Sequence, residues 1–193
     1  MRTPPKIQPI SGSIHPREGE GLFNLIQERP DICRIVEVGC AYGVSSIYLA
    51  ESIRDREGAE LIVCDPNQEN DEYKKSGFNR LQEAGISFAK LRTKGSEIDL
   101  PLLLDENGKD SFDMAFIDGW HSYDHTLLDL FYATRLVRTG GIVAVHDSNN
   151  MEGVKRAFDR MPFYPCFNLL GYIGSVGVLE KISQDNRHWS WHI

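Results

Sequence analysis

Apolar and polar positions along the 193-residue chain fall into blocks whose period changes repeatedly. Short runs that are continuously apolar and rich in β-branched residues occur at CRIVEVG, ELIVCD, SFAKLRT, FDMAFIDG and GGIVAVHD. Between them lie stretches with apolar residues at helical spacing: VSSIYLAESIRDR, a polar region containing FNRLQEAG, SEIDLPLLL, YDHTLLDLFYATRLVR and GVKRAFDRM. The strand-like runs do not alternate between apolar and polar, so both of their faces are expected to be covered, as in a parallel sheet between helices. Strand and helix blocks in alternation predict that same arrangement.

Boundary signals sharpen several elements. The block from about Tyr123 to Arg138 carries Leu127, Leu128, Phe131 and Leu136 on one helical stripe. It closes on the basic Arg135 and Arg138 before Gly140 and Gly141, the order expected at a helix C-terminus. Ahead of the first strand, Gly19 to Arg29 reads as a short extra helix stopped by Pro30. After Pro165, CFNLLGYIGSVGVLEKI reads as two strands joined by a glycine-rich turn, a terminal hairpin. The expected fold is therefore α/β, a Rossmann-like three-layer sandwich on a mostly parallel seven-stranded sheet with a C-terminal antiparallel hairpin. It fills one domain over residues 1–193, with an N-terminal extension (1–30) and a polar tail (183–193).

A chain of this length can bury roughly 70% of its unfolded surface in a single core. The net charge of −7 and pI near 5.4 argue against a nucleic-acid or anionic-membrane partner, since phosphate binding needs clustered Lys and Arg. No run approaches the ~18 apolar residues that a membrane span requires, and a soluble cytoplasmic protein is the expectation. Cys33, Cys40, Cys64 and Cys166 have no C-x-x-C spacing and read as reduced, mostly buried thiols. The tail carries Trp189 and Trp191, which are candidates for docking on the domain, capping the site or meeting a second copy of the chain.

In an open α/β sheet, ligands bind where strands end at their carboxyl edge. The first predicted strand ends at Glu37 and Gly39, Cys40 and Gly43 complete the glycine turn, and Ser45 stands in the next helix; the second strand ends in Asp65. Gly95 and Ser96 follow the third, Asp118 ends the fourth with His121 just beyond, and His146 and Asp147 end the fifth. The glycine turn suits a nucleotide-like cofactor approaching a helix N-terminus. Its spacing is not the G-x-G-x-x-G of a dinucleotide site. Asp65 stands where an acid can accept hydrogen bonds from ribose hydroxyls, or else cap a turn before Pro66. Cys40 is expected mainly as a small residue filling the turn. Ser96 with Glu97 also reads as a helix N-cap with an acid in the first turn.

The turn resembles the first motif of class I S-adenosylmethionine-dependent methyltransferases, E/D-x-G-x-x-x-G. The pattern IDG-x-H-x-Y, on Ile117, Asp118, Gly119, His121 and Tyr123, resembles the macrocin-type and, more distantly, catechol-type O-methyltransferases. The terminal hairpin belongs to that fold as well. The resemblance implies S-adenosylmethionine as cofactor, with Glu37 near its ammonium group, and a small-molecule hydroxyl as acceptor. It also implies Asp118, His121 and His146 as catalytic candidates, His121 and His146 being the bases, and Asp118 with Asp147 as Mg²⁺ ligands. The metal-dependent relatives have an Asn or a second Asp after the fifth-strand aspartate, whereas this chain has Ser148. A helical zinc pair from His121 and His125 lacks the accompanying HExxH glutamate. The alternatives are an NAD-type oxidoreductase, a cofactor-binding module without catalysis, and a sugar-modifying enzyme with other chemistry on the same fold.

Overall fold

The computed structural model describes residues 2–70, 73–185 and 190. Trp189 and Trp191 therefore lie outside the described residues. The elements run α1 (Pro16–Gln27), β1 (Arg34–Val38), α2 (Val44–Ile53), β2 (Glu60–Cys64), α3 (Ser76–Glu83), β3 (Ala89–Arg92), α4 (Ser96–Asn107) and β4 (Phe112–Ile117). They continue with α5 (Tyr123–Leu136), β5 (Val137–Val145), α6 (Glu152–Phe158), β6 (Phe167–Ile173) and β7 (Val176–Lys181). Short 3₁₀ turns follow β2 and α6.

The seven strands form one sheet in the order β3-β2-β1-β4-β5-β7-β6. Strands β1 to β5 are mutually parallel, and β7 is antiparallel to both β5 and β6. The hairpin thus supplies a single reversed strand, second from the edge, as the sequence predicts. Successive strand residues serve two cores. Ile35, Leu61, Val63, Met114 and Phe116 pack with α1, α2 and α3; Val36, Ile62, Ala115, Val143 and Val145 pack with α4, α5 and α6. Helices cover both faces, which explains why the strands read as continuously apolar.

Two boundaries differ from the sequence expectation. Helix α1 starts at Pro16 rather than Gly19, because His15 and Glu18 form a reciprocal capping box: Glu18 Oε2 accepts from the His15 amide at 3.0 Å. Helix α5 stops at Leu136, not near Arg138, and β5 begins at once. Arg138 is drawn into the strand by Asp113, whose Oδ1 accepts from its Nε at 2.6 Å. Gly140, at φ +80°, belongs to an irregularity in β5: while β4 advances from Phe112 to Met114, the paired positions on β5 advance from Val137 to Ile142.

Candidate active site

Strand order reverses between β1 and β4, and a cavity of about 410 Å³ opens there at the carboxyl edge. The strand-end residues Gly39, Cys40, Asp65, Ser96, Asp118 and His121 all line it, as do Ser45 and Gly95. Glu37, Gly43, His146 and Asp147 are not part of the wall. Gly39 and Gly43 adopt left-handed backbone, at φ +82° and +77°. A side chain at Gly39 would overlap the Asp118 carbonyl, and one at Gly43 would come within 2.5 Å of the Gly77 carbonyl. These glycines are thus required by close packing of the turn against its neighbours.

Asp65 braces the same turn. Its Oδ2 accepts from the amides of Cys40 and Ala41 at 3.0 and 2.9 Å and from Gln68 Nε2 at 3.1 Å, while Oδ1 accepts from the Asn67 amide at 2.8 Å. The turn-capping reading of Asp65 is realised in this geometry, at the cavity wall. Burial pushes the Cys40 thiol far up, so it stays a protonated filler of the turn.

Glu37 lies behind Ser45, on the α2 face of β1, and is fully buried. The Ser45 hydroxyl donates to Oε1 at 2.5 Å, whereas Oε2 has no partner. Burial, reinforced by the nearby Asp118 and Asp65 charges, pushes its pKa up to about 8. With its pKa that high the buried group keeps its proton near neutrality, and a cation arriving in the cavity would draw it toward the charged form. Asp129 on α5 is similar. It is buried beside Ser96, and burial, partly offset by that hydroxyl, raises its pKa to about 6.

At the other side of the cavity four side chains converge. His146 Nδ1 lies 2.9 Å from Asp118 Oδ1, and His121 Nε2 lies 3.4 Å from the same oxygen. Asp147 Oδ2 is 3.5 Å from both imidazole nitrogens. The backbone of Asp147 is left-handed, at φ +57°. Burial works against a charged His146, but Asp118, Asp147 and Glu18 outweigh it and hold its pKa at about 9. Asp118, through its hydrogen bonding, also raises His121. Asp118 is itself held below the carboxylate range by the two histidines despite its burial.

Glu18 is a site residue that the strand-end argument missed. Its Oε1 accepts from the Ser175 amide and hydroxyl at 2.7 and 2.8 Å, and its Oε2 faces His146 Nε2 at 3.3 Å. Helix α1 and the β6–β7 turn are thereby tied to the end of β5. The available signal was Pro16 followed by an acid three residues after His15, a helix-start pattern. The N-terminal residues Gly12 to Ile14, together with Tyr73 and Trp120, also line the cavity.

The implied Mg²⁺ finds a poor donor set. Asp118 and Asp147 do come together, but Ser148 Oγ donates to the Ser175 carbonyl at 2.9 Å and Asn149 Nδ2 to the Gly174 carbonyl at 3.1 Å. Both side chains turn to the hairpin and add no oxygen to the cluster. Two imidazoles take their place, whereas Mg²⁺ prefers oxygen ligands and retained waters.

A family model described as a methyltransferase domain matches residues 36–148. No curated protein matches the chain. Among solved structures, an O-methyltransferase from Streptomyces achromogenes involved in tomaymycin synthesis, in complex with S-adenosylmethionine, is 21% identical at a TM-score of 0.73. That match covers 89% of this chain and 82% of the other. An O-methyltransferase from Bacillus cereus in complex with S-adenosylhomocysteine is 19% identical at a TM-score of 0.72, covering 89% and 84%. A Podospora anserina methyltransferase with S-adenosylhomocysteine bound is 17% identical at a TM-score of 0.67, covering 86% and 78%. At these identities the likeness concerns the fold.

Proposed function

The chain belongs to the methyltransferase-domain family, and from that membership we propose that it transfers a methyl group from S-adenosylmethionine to a hydroxyl of a small molecule. The observation that carries this reading is the division of one cavity. The glycine turn, Asp65 and Ser96 form one side, and Asp118 with His121 forms the other. The residues present fit the cofactor. The partnerless Glu37 oxygen behind Ser45 is the complement for its ammonium group, and the cavity is of the size that ligand sites have. Asp65, Gly95 and Ser96 stand on the side assigned to the adenosine. When bound, the cofactor supplies an electrophilic methyl on a sulfonium.

The chain's own work is alignment and proton management. In-line displacement needs the acceptor oxygen held on the line of transfer, and Asp118 and His121 at the wall are placed to hold it. In the ion-free chain the hydroxyl proton is assigned to His121. That two of the structural neighbours are called O-methyltransferases supports hydroxyl acceptors over other nucleophiles. The oxidoreductase alternative is not favoured: neither the glycine spacing nor the family match supports it.

Methyl-labelled S-adenosylmethionine incubated with a panel of phenols, sugars, amines and carboxylic acids tests this reading. Label is expected on a hydroxyl compound, with His121→Ala lowering turnover by at least about 100-fold while S-adenosylhomocysteine still binds. Label appearing only on amines, or an unaffected His121→Ala enzyme, contradicts the assignment.

A further inference from the structure

The disagreement between the cluster and Mg²⁺ has its own chemical content. The four atoms His121 Nε2, His146 Nδ1, Asp118 Oδ1 and Asp147 Oδ2 lie within 4.8 Å of one another. The four carboxylate-to-imidazole separations are 2.9, 3.4, 3.5 and 3.5 Å. A tetrahedral ion with bonds of about 2.0–2.2 Å to nitrogen and oxygen needs ligand-to-ligand separations of roughly 3.3–3.6 Å. Three of these four edges already have that size and the fourth is within about half an ångström of it, while the other two, between the histidines and between the aspartates, are at most 4.8 Å.

We propose that Asp118, His121, His146 and Asp147 form a four-coordinate site for a borderline divalent cation of the zinc and cobalt class, with Glu18 as its outer carboxylate. Two imidazoles select for such ions over Mg²⁺ and Ca²⁺. The second ring nitrogen of His146 is an independent sign. With Nδ1 turned into the cluster, Nε2 points at Glu18 Oε2, 3.3 Å away. A carboxylate behind a metal-bound histidine is the usual way of fixing its tautomer and ring orientation. Glu18 is in turn locked by three donors, the Ser175 amide and hydroxyl and the His15 amide. Of the two histidine pairs, the helical-spaced His121 and His125 do not share this cluster; His125 Nδ1 is 2.8 Å from Ser122 Oγ instead. The site pairs histidines from different strand ends.

The site stands on the cluster's geometry alone and does not depend on methyl transfer. Chelator-treated full-length protein is titrated calorimetrically with Zn²⁺, Co²⁺, Mn²⁺ and Mg²⁺, and the Co²⁺ form is examined by visible absorption. One-to-one binding of Zn²⁺ and Co²⁺ at least about 100-fold tighter than Mg²⁺ is expected, with the strong visible band of four-coordinate cobalt. His121→Ala is expected to abolish that band, and Glu18→Gln to weaken Co²⁺ binding about 10- to 100-fold. Thermal unfolding confirms that the variants are folded; should His146→Ala fail to fold, His121→Ala and Glu18→Gln decide the matter. Equal Mg²⁺ affinity, the faint band of six-coordinate cobalt, binding unchanged in His121→Ala, or no binding at all overturns the proposal. Titration with S-adenosylhomocysteine on the same samples reports separately on the cofactor reading.

Discussion

Among single residues, Glu37 carries the clearest consequence. Its folded pKa of about 8 exceeds the ordinary 4.5 because burial penalises its charge. The folded chain therefore holds the proton more tightly than the unfolded chain does. Stability declines as pH rises from about 4.5 to about 8, and the whole cost of a buried charge is present above that range. Glu37→Gln keeps the shape and removes the charge. The unliganded variant is expected to melt above the wild type at pH 8.5 and near it at pH 5, while binding S-adenosylhomocysteine at least about 10-fold more weakly. Parallel pH dependences of the two melting temperatures contradict a titrating Glu37. That Glu37 matters was legible from its place before the glycines; that it faces Ser45 from inside the core was not, since the face of a doubly covered strand has no polar alternation to mark it. Glu18 was harder still, because its partners Ser175 and His146 lie 157 and 128 residues away.

At the scale of elements, the local signals placed the strands and most of the helices, and they failed where tertiary partners overrode them. Arg138 looks like a helix-terminal cation until Asp113 claims it for β5. The glycine turn was legible as a turn, but not that Gly43 makes room for the Gly77 carbonyl at the start of α3. Gly58 has nearly the same backbone, φ +73° against +77°, but nothing lies within 4 Å of the place an added methyl would take. Gly43→Ala and Gly58→Ala thus share the left-handed penalty of about 1 kcal/mol and differ in the clash. Denaturant unfolding is expected to place Gly43→Ala at least about 1 kcal/mol below Gly58→Ala. Equal losses contradict a packing role for Gly43.

The whole molecule joins two half-sheets, and the cavity sits where they meet, between β1 and β4. Alternating strand and helix blocks made that architecture legible, and the terminal hairpin separated it from a dinucleotide fold. Strand ends in such a sheet must converge, which made Gly39, Cys40, Asp65, Ser96, Asp118 and His121 legible as neighbours at one cavity. Gly12 to Ile14 were not legible, since nothing in a polar N-terminal segment says which edge of the sheet it crosses. No helix among the described residues is long and apolar enough to cross a membrane. The central claim is that this cavity takes S-adenosylmethionine, and calorimetric titration with S-adenosylhomocysteine, alongside NAD⁺, tests it most directly. Saturable one-to-one binding of S-adenosylhomocysteine that Glu37→Gln weakens, with no heat from NAD⁺, is the expected result; binding of NAD⁺ alone, or of neither ligand by the folded protein, contradicts the claim.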